Sequence, residues 1–233
     1  MPLAPETSLR PATQTGKIKS IAAFVVIAGS VAFLILSLRA TPPPVDPRPH
    51  EALGQILAEE AAKALSSGGR LTVITRDPLS ARIPAAEFQV KSFYRALQKL
   101  HVTPAATNLV QLDPLRLVRV PPGEFVDLMR RQSEADVIVS FLGPPVLTAQ
   151  QTARLGDKRP RILAVCSGAT PQQVNLRDVF DQNFVQAAII SRERPGPAPS
   201  PTSSPRECFD SLYKLITRAN LSELPAITNN VSL

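Results

Sequence analysis

The sequence predicts an α/β protein in which one membrane-spanning helix is followed by a single domain, a three-layer sandwich with five parallel strands in its middle layer. Three observations lead to this prediction. Residues 20–38 form an uncharged apolar run. Residues 70–192 alternate short apolar runs with amphipathic segments, which is typical of parallel strands joined by helices. The prolines concentrate in two stretches, as expected of linkers.

The apolar run at residues 20–38 predicts a transmembrane helix. As an α-helix it would extend about 28 Å, close to the thickness of the hydrocarbon layer. Lys17 and Lys19 precede it, and basic residues on that side favour a cytoplasmic N-terminus. A cleaved signal peptide is the alternative, but the run is too long for one and Leu38 is too large for the −3 position of a cleavage site. We therefore expect an uncleaved signal anchor, with a cytoplasmic leader at 1–19 and the domain in the periplasm or outside the cell.

Two Pro-rich stretches divide the rest of the chain. Residues 39–49 predict a stiff, extended spacer, since they contain the sequence TPPPVDPRP. The domain is expected over residues 50–220, followed by a tail at 221–233. A Pro-rich loop at 194–205 interrupts it and is expected to be disordered or extended. The domain is long enough to bury a proper hydrophobic core.

Short runs rich in Val, Ile and Leu predict five strands within the domain. Their expected bounds are 71–75, 108–112, 137–142, 162–166 and 185–190. Segments with apolar residues at helical spacing predict the helices between and around them. These segments are 50–66, 86–100, 123–133, 148–155, 171–181 and 206–220.

We expect the strand order 2-1-3-4-5, with strands numbered along the chain. The second strand, NLVQL, alternates polar and apolar residues as an edge strand does, whereas the first, LTVIT, is apolar enough for the centre of a sheet. Alternating strands and helices imply parallel pairing through crossover connections. In such an open sheet, ligands bind at the carboxyl ends of the strands, where neighbouring connections leave for opposite faces.

Residues 70–192 contain a set of segments whose order matches that of a known protein family. It comprises a first strand that ends in a polar loop (RLTVITRDPLS), a long helix (AEFQVKSFYRALQKL), a second strand ending in LDP, a third introduced by ADVIVS, and a fourth with a small-residue end (ILAVCSGATP). In this order, about half of the chain resembles one lobe of a type I periplasmic sugar- or amino-acid-binding protein. The resemblance implies ligand binding without catalysis. Because that family closes two lobes on its ligand, a single lobe implies that a second protomer completes the cleft.

The sequence lacks the residues that several functional classes require. The net charge of +7 comes from scattered Lys and Arg without a nucleic-acid-binding motif, so we expect no nucleic acid partner. No Gly-rich dinucleotide loop and no P-loop occurs, which predicts no nucleotide cofactor, and the two His and two Cys lack metal-ligand spacing. Cys166 has Gln172 where a phosphatase thiolate needs Arg, so we expect a buried core residue. A disulfide with Cys208 is the alternative outside the cytoplasm.

Candidate ligand-binding residues lie in the loops after the first four strands. They are Asp77, Ser80, Asp113, Gly143, Ser167 and Gly168. Asp77 and Asp113 each precede a proline and so favour a turn; alternatively, they form a pair of carboxylates on adjacent strand ends that binds a polyol or an amine, or works as acid and base. Ser167 and Gly168 belong to an ordinary strand-to-helix turn or bind an anion through backbone N–H groups. No catalytic residue and no metal ligand is expected.

These features predict a membrane-anchored, extracytoplasmic α/β module that binds a small ligand or a protein partner, including a second copy of itself, and catalyses no reaction. One alternative is a structural interaction component of a cell-envelope assembly. Another is a hydrolase or transferase that uses the strand-end carboxylates. We place the ligand site where the loops after strands one and three diverge, beside Asp77, Ser80 and Gly143.

Overall fold

A computed structural model describes residues 24–31, 33–34, 45–79, 83–111, 119–156, 159–166 and 174–224. Contacts divide the chain into two units, Met1–Pro44 and Val45–Leu233. In the first unit the described residues are helical and their side chains are exposed. Among the residues that the structure describes, no helix is both long and apolar enough to cross a bilayer. The rest of the span predicted at residues 20–38 lies outside the described residues.

The described part of the second unit alternates helices and strands. These elements are α1 Pro47–Ala64, β1 Leu71–Arg76, α2 Pro84–Lys99, β2 Ala106–Val110, α3 Pro122–Arg130, β3 Val137–Ser140, α4 Ala149–Leu155, β4 Arg161–Cys166, α5 Leu176–Asp181, β5 Ala187–Ser191, α6 Pro205–Leu212 and β6 Tyr213–Thr217. A 3-10 helix, Arg218–Glu223, follows β6.

The strands form one sheet in the order β2-β1-β3-β4-β5-β6. The first five pair in parallel, in the order that the sequence predicts, and β2 lies at an edge. The prediction of five strands, all parallel, is wrong at the other edge, where β6 pairs antiparallel with β5. The sheet is therefore mixed and has six strands.

The last strand replaces the second half of a predicted helix. The sequence predicts one helix over 206–220, whereas α6 ends at Leu212 and the chain continues as β6. Tyr213 packs into the core on one face of the sheet and Ile216 into the core on the other. Residues three apart lie on the same side of a helix but on opposite faces of a strand, so only the extended conformation buries both.

Helices cover both faces of the sheet. On one face α1, α2 and α6 bury Leu53, Phe93 and Phe209 against apolar side chains of the strands. On the other face α3 and α5 bury Phe125 and Phe180. The helix–sheet–helix layering that the alternating pattern predicts is therefore present.

Helix α1 begins at Pro47, within the stretch predicted as a spacer. The Oδ1 atom of Asp46 accepts a hydrogen bond from the Arg48 backbone N–H at 3.0 Å, which satisfies one of the free donors at the helix start. Pro47 occupies the first turn, where its missing N–H costs nothing. The Pro-rich composition of residues 39–49 hides this start signal in the sequence.

The predicted Pro-rich loop at 194–205 is attached to the domain. The Gly196 N–H donates to the Ser211 carbonyl at 2.7 Å, and the Arg48 side chain donates from Nη1 to the Ser200 carbonyl at 2.8 Å. Ser204 then caps α6. These contacts attach the segment to α1 and α6, and the expectation that it is disordered or extended stays a prediction.

Candidate functional site

Strands β1 and β3 lie side by side, and the connections that leave them run to opposite faces of the sheet. Ile74 pairs with Ser140, and the Phe141 N–H donates to the Ile74 carbonyl at 2.9 Å. After β1 the chain enters α2, which buries Phe93 on one face of the sheet. After β3 it enters α4, whose Leu155 packs against the core of the other face. Such a divergence leaves a crevice at the carboxyl ends of the two strands.

Asp77 begins the loop after β1 and is half-buried. Its backbone N–H donates to the Val110 carbonyl of β2 at 2.9 Å, and its Oδ1 accepts a hydrogen bond from the Leu79 N–H at 3.0 Å. The side chain therefore forms the turn that an Asp-Pro sequence favours. The same carboxylate lies at the carboxyl edge of the sheet, beside the crevice.

Arg76, the last residue of β1, brings a half-buried guanidinium to this edge. Burial disfavours the charged form and lowers the pKa of Arg76. The group nevertheless stays charged, because the ordinary pKa of arginine lies far above neutral pH. Arg76 favours an anionic group on a ligand, whereas Asp77 favours a hydroxyl or an amine.

The loop after β3 lies at the same edge of the sheet. Leu142, Gly143, Pro144 and Pro145 are buried, and the φ angle of Gly143 is +89°. A Cβ in this left-handed conformation costs about 1–2 kcal/mol, so the turn favours glycine. Gly143 therefore shapes the loop, and any contact that it makes with a ligand is through its backbone.

Three exposed apolar side chains belong to the loops on either side of the crevice. Leu79 and Ile83, between β1 and α2, are 94% and 41% exposed, and Val146, between β3 and α4, is 39% exposed. Exposed apolar residues indicate a contact surface where they form one contiguous patch. They lie outside every periodic segment, so no helix or strand pattern points to them. The signal in the sequence is that each stands next to a proline in a loop.

Four of the six predicted site residues lie outside the described part of the chain: Ser80, Asp113, Ser167 and Gly168. Asp113 follows β2, which pairs with β1. Because Asp113 itself is not described, the pairing of Asp77 with Asp113 stays a prediction. Gly143 and Asp77 are the two site residues that the structure places, in the adjacent loops after β3 and β1.

Cys166 ends β4 and is fully buried, which confirms that it is a core residue. Burial raises the pKa of the Cys166 thiol to about 12. The thiol is therefore neutral at physiological pH and is a poor nucleophile. Cys166 and Cys208 are both free, so the alternative of a disulfide between them is not found. Within the described residues, no group of three or more His, Cys, Asp or Glu side chains is arranged to hold a metal ion.

Comparison with known proteins finds similarity among solved structures. No protein-family model and no curated protein matches the chain. The chain is similar to a carbohydrate-transporter solute-binding protein from Agrobacterium radiobacter in complex with D-arabinose, at 13% identity over 75% of this chain and 61% of that one, with a TM-score of 0.49. It is also similar to the sugar-binding protein of a sugar ABC transporter from Bacillus halodurans (13% identity, 76% and 64% covered, TM-score 0.46) and to a glucose-galactose binding protein from Geobacillus stearothermophilus (12% identity, 76% and 62% covered, TM-score 0.43). The chain spans less than two thirds of the length of these proteins.

Proposed function

We propose that this protein is a membrane-anchored, non-catalytic α/β module that binds a small polar ligand outside the cytoplasm, in the crevice between the loops after β1 and β3. The observation that carries the proposal is the divergence of two connections at the carboxyl ends of paired strands. At that edge Arg76 and Asp77 offer charge and hydrogen bonds, and Leu79, Ile83 and Val146 offer apolar contact. Ligand sites commonly combine an apolar lining with a few polar groups.

The crevice belongs to a single sheet domain, which leaves it open to solvent. Leu79 is almost fully exposed at its rim, as is expected of a side chain that is covered only when a complex forms. We therefore propose that a second protomer completes the cleft and that ligand and dimer stabilise each other. The membrane anchor is proposed from the uncharged run at residues 20–38 and its preceding lysines.

Thermal-shift measurements on the full chain in a nonionic detergent test this proposal. They use a panel of sugars, polyols and amino acids as ligands. Asp77→Asn keeps an oxygen acceptor for the Leu79 N–H and removes the charge. We expect it to weaken binding of the selected ligand about tenfold, because a hydrogen bond to a charged group is lost, and to leave the melting temperature without ligand nearly unchanged.

Asp127→Asn is the matched control, since Asp127 is an exposed carboxylate on α3. It should bind as the wild type does. A panel that yields no ligand, or an Asp77→Asn variant with wild-type affinity, would remove the crevice as a binding site.

An interaction component of an envelope assembly is the second candidate, and the edge strand β2 favours it. Four of its five residues are exposed, and Leu109 is 57% exposed. An uncovered edge offers backbone donors and acceptors to a strand of another protein. Leu109→Lys should then abolish crosslinks to neighbouring envelope proteins while Asp77→Asn preserves them; unchanged crosslinks in Leu109→Lys would exclude this role for β2.

A further inference from the structure

A second concave region lies at the amino edge of the sheet, opposite the crevice. Its volume is about 580 Å³, and it is bounded by the end of α1, the starts of β4 and β5 and the end of β6. This volume is in the range of small-molecule sites. Among the described residues that line it, one is a carboxylate, Glu60, and four are cationic: Lys63, Arg159, Arg161 and Arg218.

Arg159 is held in the wall of this amino-edge cavity by three contacts. Its Nε donates to the Gly156 carbonyl at 2.7 Å and its Nη1 to the Gln182 carbonyl at 3.0 Å. Its guanidinium lies 4.4 Å from the centre of the Phe184 ring, where a cation is attracted to the aromatic face. The position of this charge is therefore set before any ligand arrives.

Arg161 and Arg218 are held in the same way. Arg161 donates from Nη1 to the Ala64 carbonyl at the end of α1. Arg218 donates from Nη2 to the Phe180 carbonyl at 2.9 Å and to Oδ1 of Asn183. A guanidinium has five N–H donors, so each of these side chains keeps donors for a further acceptor.

Carbonyl and amide oxygens orient these charges and do not neutralise them. Lys63 pairs with Glu60 at 2.7 Å, whereas none of the three arginines forms an ion pair with a carboxylate of the described residues. Several fixed, unpaired cations around one cavity attract a multivalent anion more strongly than a monovalent one. Guanidinium groups also match the geometry of phosphate and sulfate oxygens.

We infer that the amino-edge cavity binds a small anion that carries two or more phosphate or sulfate groups. The inference is independent of the ligand proposed for the crevice, because the two sites lie at opposite ends of the strands. A ligand at one site leaves the residues of the other untouched.

Calorimetric titration of the full chain with sodium tripolyphosphate, in a nonionic detergent at low ionic strength, tests the inference. We expect saturable binding that weakens with added salt. The double variant Arg161→Gln/Arg218→Gln should weaken it about tenfold for each lost charged contact. The control Arg95→Gln/Arg130→Gln removes the same charge from exposed positions on α2 and α3 and should bind nearly as the wild type does.

Three results would overturn the inference. The first is no binding of tripolyphosphate by the wild-type chain. The second is equal weakening in both double variants, which would indicate general attraction to a protein of net charge +7. The third is binding of a single-stranded oligonucleotide without binding of tripolyphosphate. Should Arg161→Gln/Arg218→Gln unfold, Lys63→Glu reverses a charge at an exposed helix position and must weaken tripolyphosphate binding in its place.

Discussion

The Nδ1 atom of His50 lies 2.5 Å from the hydroxyl oxygen of Tyr213, which joins the start of α1 to the edge strand β6. The Nε2 atom of Gln89, on α2, donates to the same hydroxyl oxygen at 3.2 Å. Because an amide nitrogen only donates, the Tyr213 hydroxyl hydrogen is available to Nδ1 of His50, which accepts it in the neutral imidazole. Three elements are thus connected through one buried hydroxyl group.

We predict that this connection makes the domain less stable below neutral pH. Burial lowers the pKa of His50 below its ordinary value, although the nearby Asp46 acts in the opposite direction. The unfolded chain then binds a proton that the folded chain does not, so stability is full above about pH 6.5 and declines as the pH falls from there through the folded pKa.

Melting temperatures between pH 8 and pH 5 check this prediction. His50→Gln removes the titrating group and should flatten the decline. The difference between the two profiles isolates the contribution of His50, because the other titratable groups are present in both proteins. Identical pH profiles would show that His50 is not responsible.

A buried carboxylate at the amino edge provides a second prediction. The Asp136 side chain is 3% exposed; it accepts hydrogen bonds from the Arg70 and Ser133 backbone N–H groups, both at 2.7 Å, and from the Arg70 guanidinium at 3.2 Å. Burial by itself would raise the pKa of Asp136, but these hydrogen bonds lower it to about 2. The ionised side chain then contributes about 2 kcal/mol above pH 4, and this contribution is lost as the pH falls toward 2.

Asp136→Asn should therefore lower the free energy of unfolding by about 2 kcal/mol at neutral pH, with a smaller loss near pH 2. Urea unfolding at neutral pH and near pH 2 measures this loss of free energy. Asp127→Asn, at an exposed position, serves as the control and should change little at either pH. A loss of equal size at both pH values would mean that the cost of Asp136→Asn comes from packing alone.

The close approach of α1 to α2 depends on Gly54. A Cβ added there would lie 2.2 Å from the Gln89 carbonyl oxygen and 2.7 Å from the Phe93 nitrogen, and backbone atoms cannot turn away as a side chain does. Gly54→Ala should destabilise the domain by about 1–3 kcal/mol, as overpacking does. Gly123→Ala on α3, where no atom lies within 4 Å, should be neutral or stabilising by up to about 1 kcal/mol. Equal melting temperatures for the two variants would contradict the tight packing of α1 on α2.

The membrane topology proposed from the sequence gives a further prediction. Lys17 and Lys19 precede the apolar run, which favours a cytoplasmic N-terminus. Protease added to intact spheroplasts should therefore digest the domain, and a cytoplasmic marker protein should survive until the cells are lysed. Full protection of the domain in intact spheroplasts would show that the proposed orientation is wrong and that the domain lies on the cytoplasmic side.

Local sequence predicts β1, β3 and β4 well because they are buried on both faces, and a strand in that position has to be apolar along most of its length. The same kind of pattern is ambiguous at Tyr213–Thr217. Apolar residues there match a short helix as well as a strand, and the pairing of this segment with β5 decides between them. The start of α1 is a different case. Asp46 followed by Pro47 matches a helix start, but the surrounding prolines favour a spacer and hide that signal.

By itself the sequence determined the parallel order β2-β1-β3-β4-β5 and hence the edge where loops diverge, because strand burial and the rules of connection are encoded in short segments. Only the tertiary structure decided which side chains meet. His50 and Tyr213 are 163 positions apart, and Lys63 shares the amino-edge cavity with Arg218. Contacts of this kind depend on how α1 packs across the finished sheet, and no local pattern specifies that packing.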